Sequence, residues 1–321
     1  MSKFYVSPFT GEHLNKKGNW YISKNGKEKF PIINSIPRFC DQKNYTTSFG
    51  FQWNKFDKTQ LDSNNKINFS RNRFFQSTEW DSEIISKENV LEVGSGAGRF
   101  TEVFLKSTNG ILHSVDYSNA VEANFQNNLE FKDRLELSQA SIYEMPFSDN
   151  TFDKIFCFGV LQHTPSFEKS IESLIKKAKI GAEIVVDFYP IKGWYTKINS
   201  KYILRPFTKK LNHKLLFKLI SLNINWMINL FDFLCLINLK PLTRFIPITN
   251  LSQFPNNLTL SQRKTWAIMD TFDMFSPEFD NPMRIKKVKS LFIKYGCKVT
   301  FAGLIKNNQN AYGAVVRAIK S

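Results

Sequence analysis

Val90-Leu91-Glu92-Val93-Gly94-Ser95-Gly96-Ala97-Gly98-Arg99-Phe100 is the stretch on which the reading of this chain turns. An apolar strand carries one acidic residue and ends in three alternating glycines, and a helical pattern over 98–107 follows at once. Backbone amides in such a turn can approach a ligand with no Cβ in the way. The pattern is that of a nucleotide-type binding turn. A dinucleotide fingerprint would need glycine or alanine at position 99, where this chain has Arg99.

Outward from that turn, strand and helix signals alternate. Strands are predicted at 89–93, 111–116, 135–139, 153–160 and 183–189, and helices at 98–107, 119–128 and 166–179. Such alternation makes a parallel sheet covered by helices. In an open sheet of this kind, ligands sit outside the carboxyl ends of the strands where strand order reverses. Asp116 closes the second strand, where a carboxylate can accept both hydroxyls of a ribose. Ser118 then offers an N-cap to the next helix.

Three later segments carry a family likeness: Gln139-Ala140-Ser141-Ile142-Tyr143-Glu144-Met145-Pro146-Phe147, Phe152-Asp153-Lys154-Ile155, and Gly159-Val160-Leu161-Gln162-His163-Thr164-Pro165. In order and spacing they resemble the S-adenosylmethionine-dependent methyltransferases of the Rossmann-like class I. The resemblance spans 45–190, and more loosely 265–320 through Asp270-Thr271-Phe272-Asp273 and Ser276-Pro277. It implies an α/β fold with a seven-stranded sheet, helices on both faces, and S-adenosyl-L-methionine as cofactor. Glu92, Gly94, Gly96 and Gly98 would then surround the methionine portion, Asp116 with adjoining Tyr117 would hold the ribose, and Ala140, Ser141 and Ile142 would edge the adenine. Phe158 and Gly159 would close the floor. Ser141 stands where relatives usually carry an acidic residue, and Lys179-Ile180-Gly181-Ala182 replaces the usual Lys-Pro-Gly-Gly turn.

Methyl transfer from a sulfonium asks chiefly for alignment, plus removal of an acceptor proton where its pKa demands it. His163, just past the fourth strand, is the best base candidate because imidazole titrates near neutrality. A histidine that merely bonds a nearby loop is the plainer reading of the same residue. Asp270, Asp273 and Tyr189 stand next in line on the acceptor side.

The remaining segments are additions to this core. Residues 1–42 form a small β module with a type I′ hairpin expected at Asn25-Gly26. The module resembles the zinc-ribbon-like segment that precedes some bacterial methyltransferase domains. Its opening Cys-Pro-x-Cys is here Ser7-Pro8-Phe9-Thr10, so that the likeness implies a lost metal site. Residues 43–88 read as an aromatic-rich helical cap whose rings pack on the next domain, and Arg73 is its candidate to reach a ligand carboxylate. Residues 89–190 are the cofactor-binding core, 191–265 a basic amphipathic insertion, and 266–321 the end of the core, with a helix at 284–295 and strands at 299–304 and 314–319.

Charge is unevenly spread. The formal net charge is +16, yet 90–190 is net −5 while 191–250 is +9. Basic additions around an acidic core suit an anionic acceptor, a membrane surface or nucleic acid; a Lys-rich solvated surface reads the same way. The insertion would line the acceptor pocket, so a small-molecule, glycan-linked or lipid-like acceptor is expected. An RNA methyltransferase and a non-catalytic cofactor-binding module are the alternatives. No RNA-binding module is recognisable, which sets the expectation against nucleic acid. In 215–239 polar residues recur every three or four positions, so no spanning helix is expected, although 191–260 could make peripheral membrane contact. Cys40, Cys157, Cys235 and Cys297 are scattered and no His lies at metal spacing, so no metal and no disulfide framework is expected. With no apolar leader in 1–20, the expected location is the cytoplasm, with the membrane periphery as a second possibility.

Overall fold

The chain begins with a four-stranded antiparallel sheet in order β1 (Leu14–Lys17), β2 (Trp20–Ser23), β3 (Lys29–Ile33) and β4 (Ile36–Pro37). The computed structural model describes residues 5–306 and 311–321. The type I′ turn expected at Asn25-Gly26 is absent there. Only Gly26 has positive φ; its N–H bonds Ser23 O at 2.9 Å and the Asn25 side chain accepts from Lys27 N, so the loop is wider than two residues. The tight two-residue turn is Asn34-Ser35, both with positive φ, between paired Ile33 and Ile36. In the opening Ser7-Pro8-Phe9-Thr10, Ser7 Oγ and Thr10 Oγ1 both donate to the Glu28 carboxylate, at 2.7 and 2.8 Å.

This sheet is docked on the main one. Phe39 N–H bonds Gln139 O at 2.8 Å, and buried Arg38 pairs with Glu122 and donates to Gln139 Oε1. Tyr5, Phe39 and Phe147 close the seam by ring contacts. An edge strand with free backbone groups is thereby covered.

Short helices α1 (Thr47–Lys55), α2 (Asp62–Asn65), α3 (Phe69–Thr78) and α4 (Ser82–Ile85) form the expected cap. Of its aromatics, Phe56, Phe74 and Trp80 are buried as a plain packing reading predicts, while Tyr45, Phe49, Phe51, Trp53, Phe69 and Phe75 are half-buried. Phe74 is fully buried, with its ring centroid 5.1 Å from Phe156.

The central unit runs β5 (Val90–Val93), α5 (Arg99–Ser107), β6 (Leu112–Asp116), α6 (Val121–Asn127), β7 (Leu135–Gln139), β8 (Phe152–Cys157), α7 (Phe167–Lys177) and β9 (Ala178–Phe188). After α8 (Ser200–Thr208), α9 (His213–Leu236), α10 (Leu260–Phe275) and α11 (Ile285–Lys294), it closes with β10 (Cys297–Lys306) and β11 (Ala311–Lys320). The seven strands lie in order β10-β11-β9-β8-β5-β6-β7, parallel from β9 to β7, with β11 antiparallel to both its neighbours. Strand order reverses between β5 and β8, which makes the carboxyl ends of these two strands the place for a ligand. The turn expected at 179–182 is instead part of β9, where Gly181 takes positive φ and the pairing with β8 shifts register.

The insertion is helical as expected, but the boundary set at 265 falls inside α10. By length and composition α9 could cross a membrane, where the sequence pattern suggested no such helix. One stripe of it, Leu216, Ile220, Ile224, Met227 and Phe231, is buried in a cluster with Ile248, Trp266 and Phe272.

Candidate active site

At the carboxyl end of β5 the chain turns through Gly94, Gly96 and Gly98, all with positive φ. A Cβ on Gly94 would collide with the Val160 side chain from the β8 loop, and one on Gly98 with Asn124 of α6 and Asn128 just past it. Glycine is therefore demanded twice at each position, by conformation and by space. The turn opens into a cavity of about 410 Å³. Its floor is Gly94, Gly96 and Phe158–Val160, and its roof is Tyr45, Phe49 and Trp53 of the cap. Phe254, Trp266 and Asp270 from the far side of the insertion complete the wall.

Most predicted site residues meet at this cavity. Asp116, Tyr117, Ala140, Ile142, Phe158, Gly159, Arg73 and His163 all line it, as do Asp270, Asp273 and Tyr189. The Asp116 carboxylate accepts from Gly96 N at 2.8 Å and from Ser118 N and Oγ at 2.7 and 2.6 Å. A carboxylate offers about four acceptor sites, so room remains for one ribose hydroxyl rather than the expected two.

Three predicted residues do not reach the cavity wall. Glu92 lies behind the turn, where Oε2 accepts from Thr101 Oγ1 (2.5 Å) and Ser114 Oγ (2.9 Å) while Oε1 is buried without a partner. Burial pushes its pKa up to about 7. Its period-two position on a doubly covered strand turns it toward α5, and the glycine turn intervenes. Gly98 acts as packing space for α6. Ser141 turns its hydroxyl to Tyr143 N at 3.2 Å, capping its own turn.

Arg73, expected to reach a carboxylate, pairs with buried Asp187 at the end of β9, and Asp187 also accepts from Gly159 N. The residue that sequence reasoning missed is Arg99. Its Nε donates to Ser70 Oγ and its Nη1 to Gln60 Oε1, both at 2.8 Å, while Nη2 is buried without a partner. Burial and the neighbouring Arg73 bring its pKa down to about 9. A signal was present: a cation in the first turn of a helix opposes the helix dipole and calls for an anionic partner.

On the opposite side, His163 sits between Phe49 and Tyr189, with ring centroids 5.0 and 5.6 Å away. Its Nδ1 lies 3.0 Å from Phe279 O. A carbonyl can only accept, so Nδ1 carries the proton and Nε2 keeps its lone pair. Burial lowers the pKa of this imidazole. Asp270 is raised to about 7 by burial and by nearby Asp273, and Gln60 donates to it at 3.4 Å. Asp273 accepts from Tyr189 Oη at 3.3 Å.

Comparison with known proteins agrees with this geometry. A family described as methyltransferase domain matches residues 91–186. Over 211 residues the chain is 31% identical to the tRNA U34 carboxymethyltransferase of Nautilia profundicola, covering 56% of this chain and 68% of that one. The chain belongs to the class I S-adenosylmethionine-dependent methyltransferases. Among solved structures, the magnesium protoporphyrin IX methyltransferase of Synechocystis is similar over 86% of this chain and 97% of its own, at 13% identity and a TM-score of 0.48. A methyltransferase from Aquifex aeolicus is similar over 84% and 98%, at 12% identity and 0.46. This methyltransferase uses S-adenosylmethionine, and its cavity fits that cofactor. The glycine floor puts no Cβ in the way of a ligand, Asp116 keeps a free acceptor site, and Arg99 Nη2 is a buried donor awaiting an anion.

Proposed function

We propose that this methyltransferase modifies a hydroxyl or amino group on a small-molecule, glycan-linked or lipid-like acceptor, with His163 removing the acceptor's proton. The observation that supports it most is the fixed tautomer of His163, which leaves a neutral, low-pKa imidazole with an unshared Nε2 lone pair in the cavity wall. Asp270, Asp273 and Tyr189 surround the same side with acidic and hydroxyl groups, which suits an uncharged polar or amine-bearing acceptor better than a phosphate.

S-adenosylmethionine supplies an activated methyl on sulfur, so alignment and proton removal are left to the protein. In this reading the Cβ-free backbone at Gly94 and Gly96 packs against the methionine portion and Arg99 Nη2 binds its carboxylate, with Arg73 held alongside by Asp187. Asp116 takes one ribose hydroxyl, and Tyr117, Ala140 and Ile142 enclose the adenine. Glu92, Gly98 and Ser141 serve by shaping the turn.

His163→Ala and His163→Gln test the base role. Both are expected to lower the methyl-transfer rate by about 10² or more while leaving S-adenosylhomocysteine affinity within a few-fold. For the wild type, the rate is expected to rise with pH and level off below pH 6.5, because deprotonation activates the imidazole and burial lowers its pKa. A rate unchanged in both variants removes the assignment.

A second reading is transfer to tRNA. The 31% identical relative bears the name of a tRNA-modifying enzyme, and this withdraws the ground for excluding a nucleic acid acceptor. Labelled S-adenosylmethionine, supplied in parallel to total tRNA and to a nuclease-treated cell extract, separates the two. Label is expected in the extract; label on tRNA alone would replace the first reading by the second.

A further inference from the structure

Helix α9 carries two apolar stripes. Leu216, Ile220, Ile224, Met227 and Phe231 face inward, as described. Leu215, Leu219, Leu222, Trp226, Leu230 and Phe233 recur at helical spacing on another face, and all are exposed, Leu222 to 70% and Phe233 to 54%. At 100° per residue the centres of the two stripes lie roughly 120° apart, so that no single partner within the fold can cover both. The exposed run continues through Leu236 at the helix end and, past it, through Leu239, Leu242 and Phe245. A contiguous apolar face of this kind on a folded chain marks an interaction site.

Charge decides what it meets. Residues 191–250 hold ten basic side chains against one acidic residue, Asp232, which is itself paired with Arg263 at 2.6 Å. Lys210, Lys214, Lys218 and Lys240 are exposed and form no ion pair among the described residues. On the helical wheel Lys214 and Lys218 adjoin the outward stripe on its polar side, while Lys210 and Lys240 stand near its two ends. A second copy laid across this face by a two-fold axis would bring like charges together. RNA would match the lysines but not the leucines.

We propose that the outward stripe of α9, with the 237–245 segment, docks on the surface of an anionic phospholipid bilayer, leucines in the acyl boundary and lysines among the headgroups. Apolar area and basic charge on adjacent faces of one helix are what interfacial binding requires, and Trp226 has the amphipathic ring that settles at such a boundary. The inference is independent of the acceptor, because vesicle binding is read without any methyl transfer.

The test is flotation of the full chain with phosphatidylcholine vesicles, with and without phosphatidylglycerol, at low and high salt. The protein is expected to float with the anionic vesicles and to be released by salt. The double variant Leu222→Glu/Trp226→Glu is expected to lose at least tenfold in partitioning, and Lys214→Glu/Lys218→Glu about fivefold or more per lysine, both with unchanged S-adenosylhomocysteine binding. No flotation, flotation unaltered in the Leu222/Trp226 variant, or a solution dimer that this variant dissolves would each overturn the proposal. Should that variant lose its fold, quenching of tryptophan fluorescence by brominated lipid decides: quenching that disappears in Trp226→Phe supports docking, and its absence in the wild type refutes it.

Discussion

The cofactor core and the insertion that follows β9 handle polarity in opposite ways. Between 90 and 190 the chain is net acidic and draws charged and polar groups inward, to strand ends where backbone and hydroxyl donors receive them, as at Glu92 and Asp116. Between 191 and 250 it is strongly basic, keeps most of its lysines in water and leaves a row of leucines beside them. The contrast teaches where specificity sits. In the core, polar side chains such as Asp116 are held by fixed partners, so small changes are costly; on the outward face of the insertion hardly any side chain has one, and single changes should be cheap.

Five substitutions would break or sharpen that contrast. The largest effect is expected from Gly94→Ala, which forces a side chain into positive φ and against Val160. Calorimetric titration should show no S-adenosylhomocysteine binding, and thermal unfolding a loss of roughly 2–5 kcal/mol. Within α9, Ile224→Ala is expected to cost about 2–5 kcal/mol in denaturant unfolding and Leu222→Ala within about 0.5 kcal/mol. Equal costs would mean that both faces are buried in solution.

Asp116→Ala removes the acceptor that holds the glycine turn and faces the cavity. Its affinity for S-adenosylhomocysteine is expected to fall by about 10–100-fold. The smallest effect concerns pH. Burial raises the Glu92 pKa to about 7 in the folded chain, above its unfolded value, so the folded state binds that proton more firmly. Stability should therefore fall as pH rises from about 4.5 to 7. Glu92→Gln should flatten part of this slope, leaving the share of Asp270, which titrates in the same direction. A slope unchanged in that variant would show that the folded-state pKa of Glu92 is not raised.

The legible parts of this protein are those set by neighbours along the chain. Val90–Val93, the three glycines and Asp116 announce themselves because a strand, a turn and a strand end are local events, and Val93, Gly94, Gly96 and Asp116 line the cavity where a ligand site was expected. The module turn was misplaced from Asn25-Gly26 to Asn34-Ser35 because the same residue types serve two turn geometries, and strand pairing chooses between them. Arg99 was visible only as a misfit. Its partners Ser70 and Gln60 lie 29 and 39 residues earlier, beyond any local pattern.

By itself the sequence determined the sheet, the glycine turn and the ribose-side carboxylate, since periodicity of two, periodicity of 3.6 and positive φ are properties of short segments. Tertiary structure alone decided that Glu92 faces away from the cavity, that His163 keeps Nε2 unprotonated because its one ring N–H is on Nδ1 and donates to Phe279 O, and which stripe of α9 is inside. Each of those depends on atoms brought together by folding, and an apolar helix with two eligible faces acquires an inside only when another element packs against one of them.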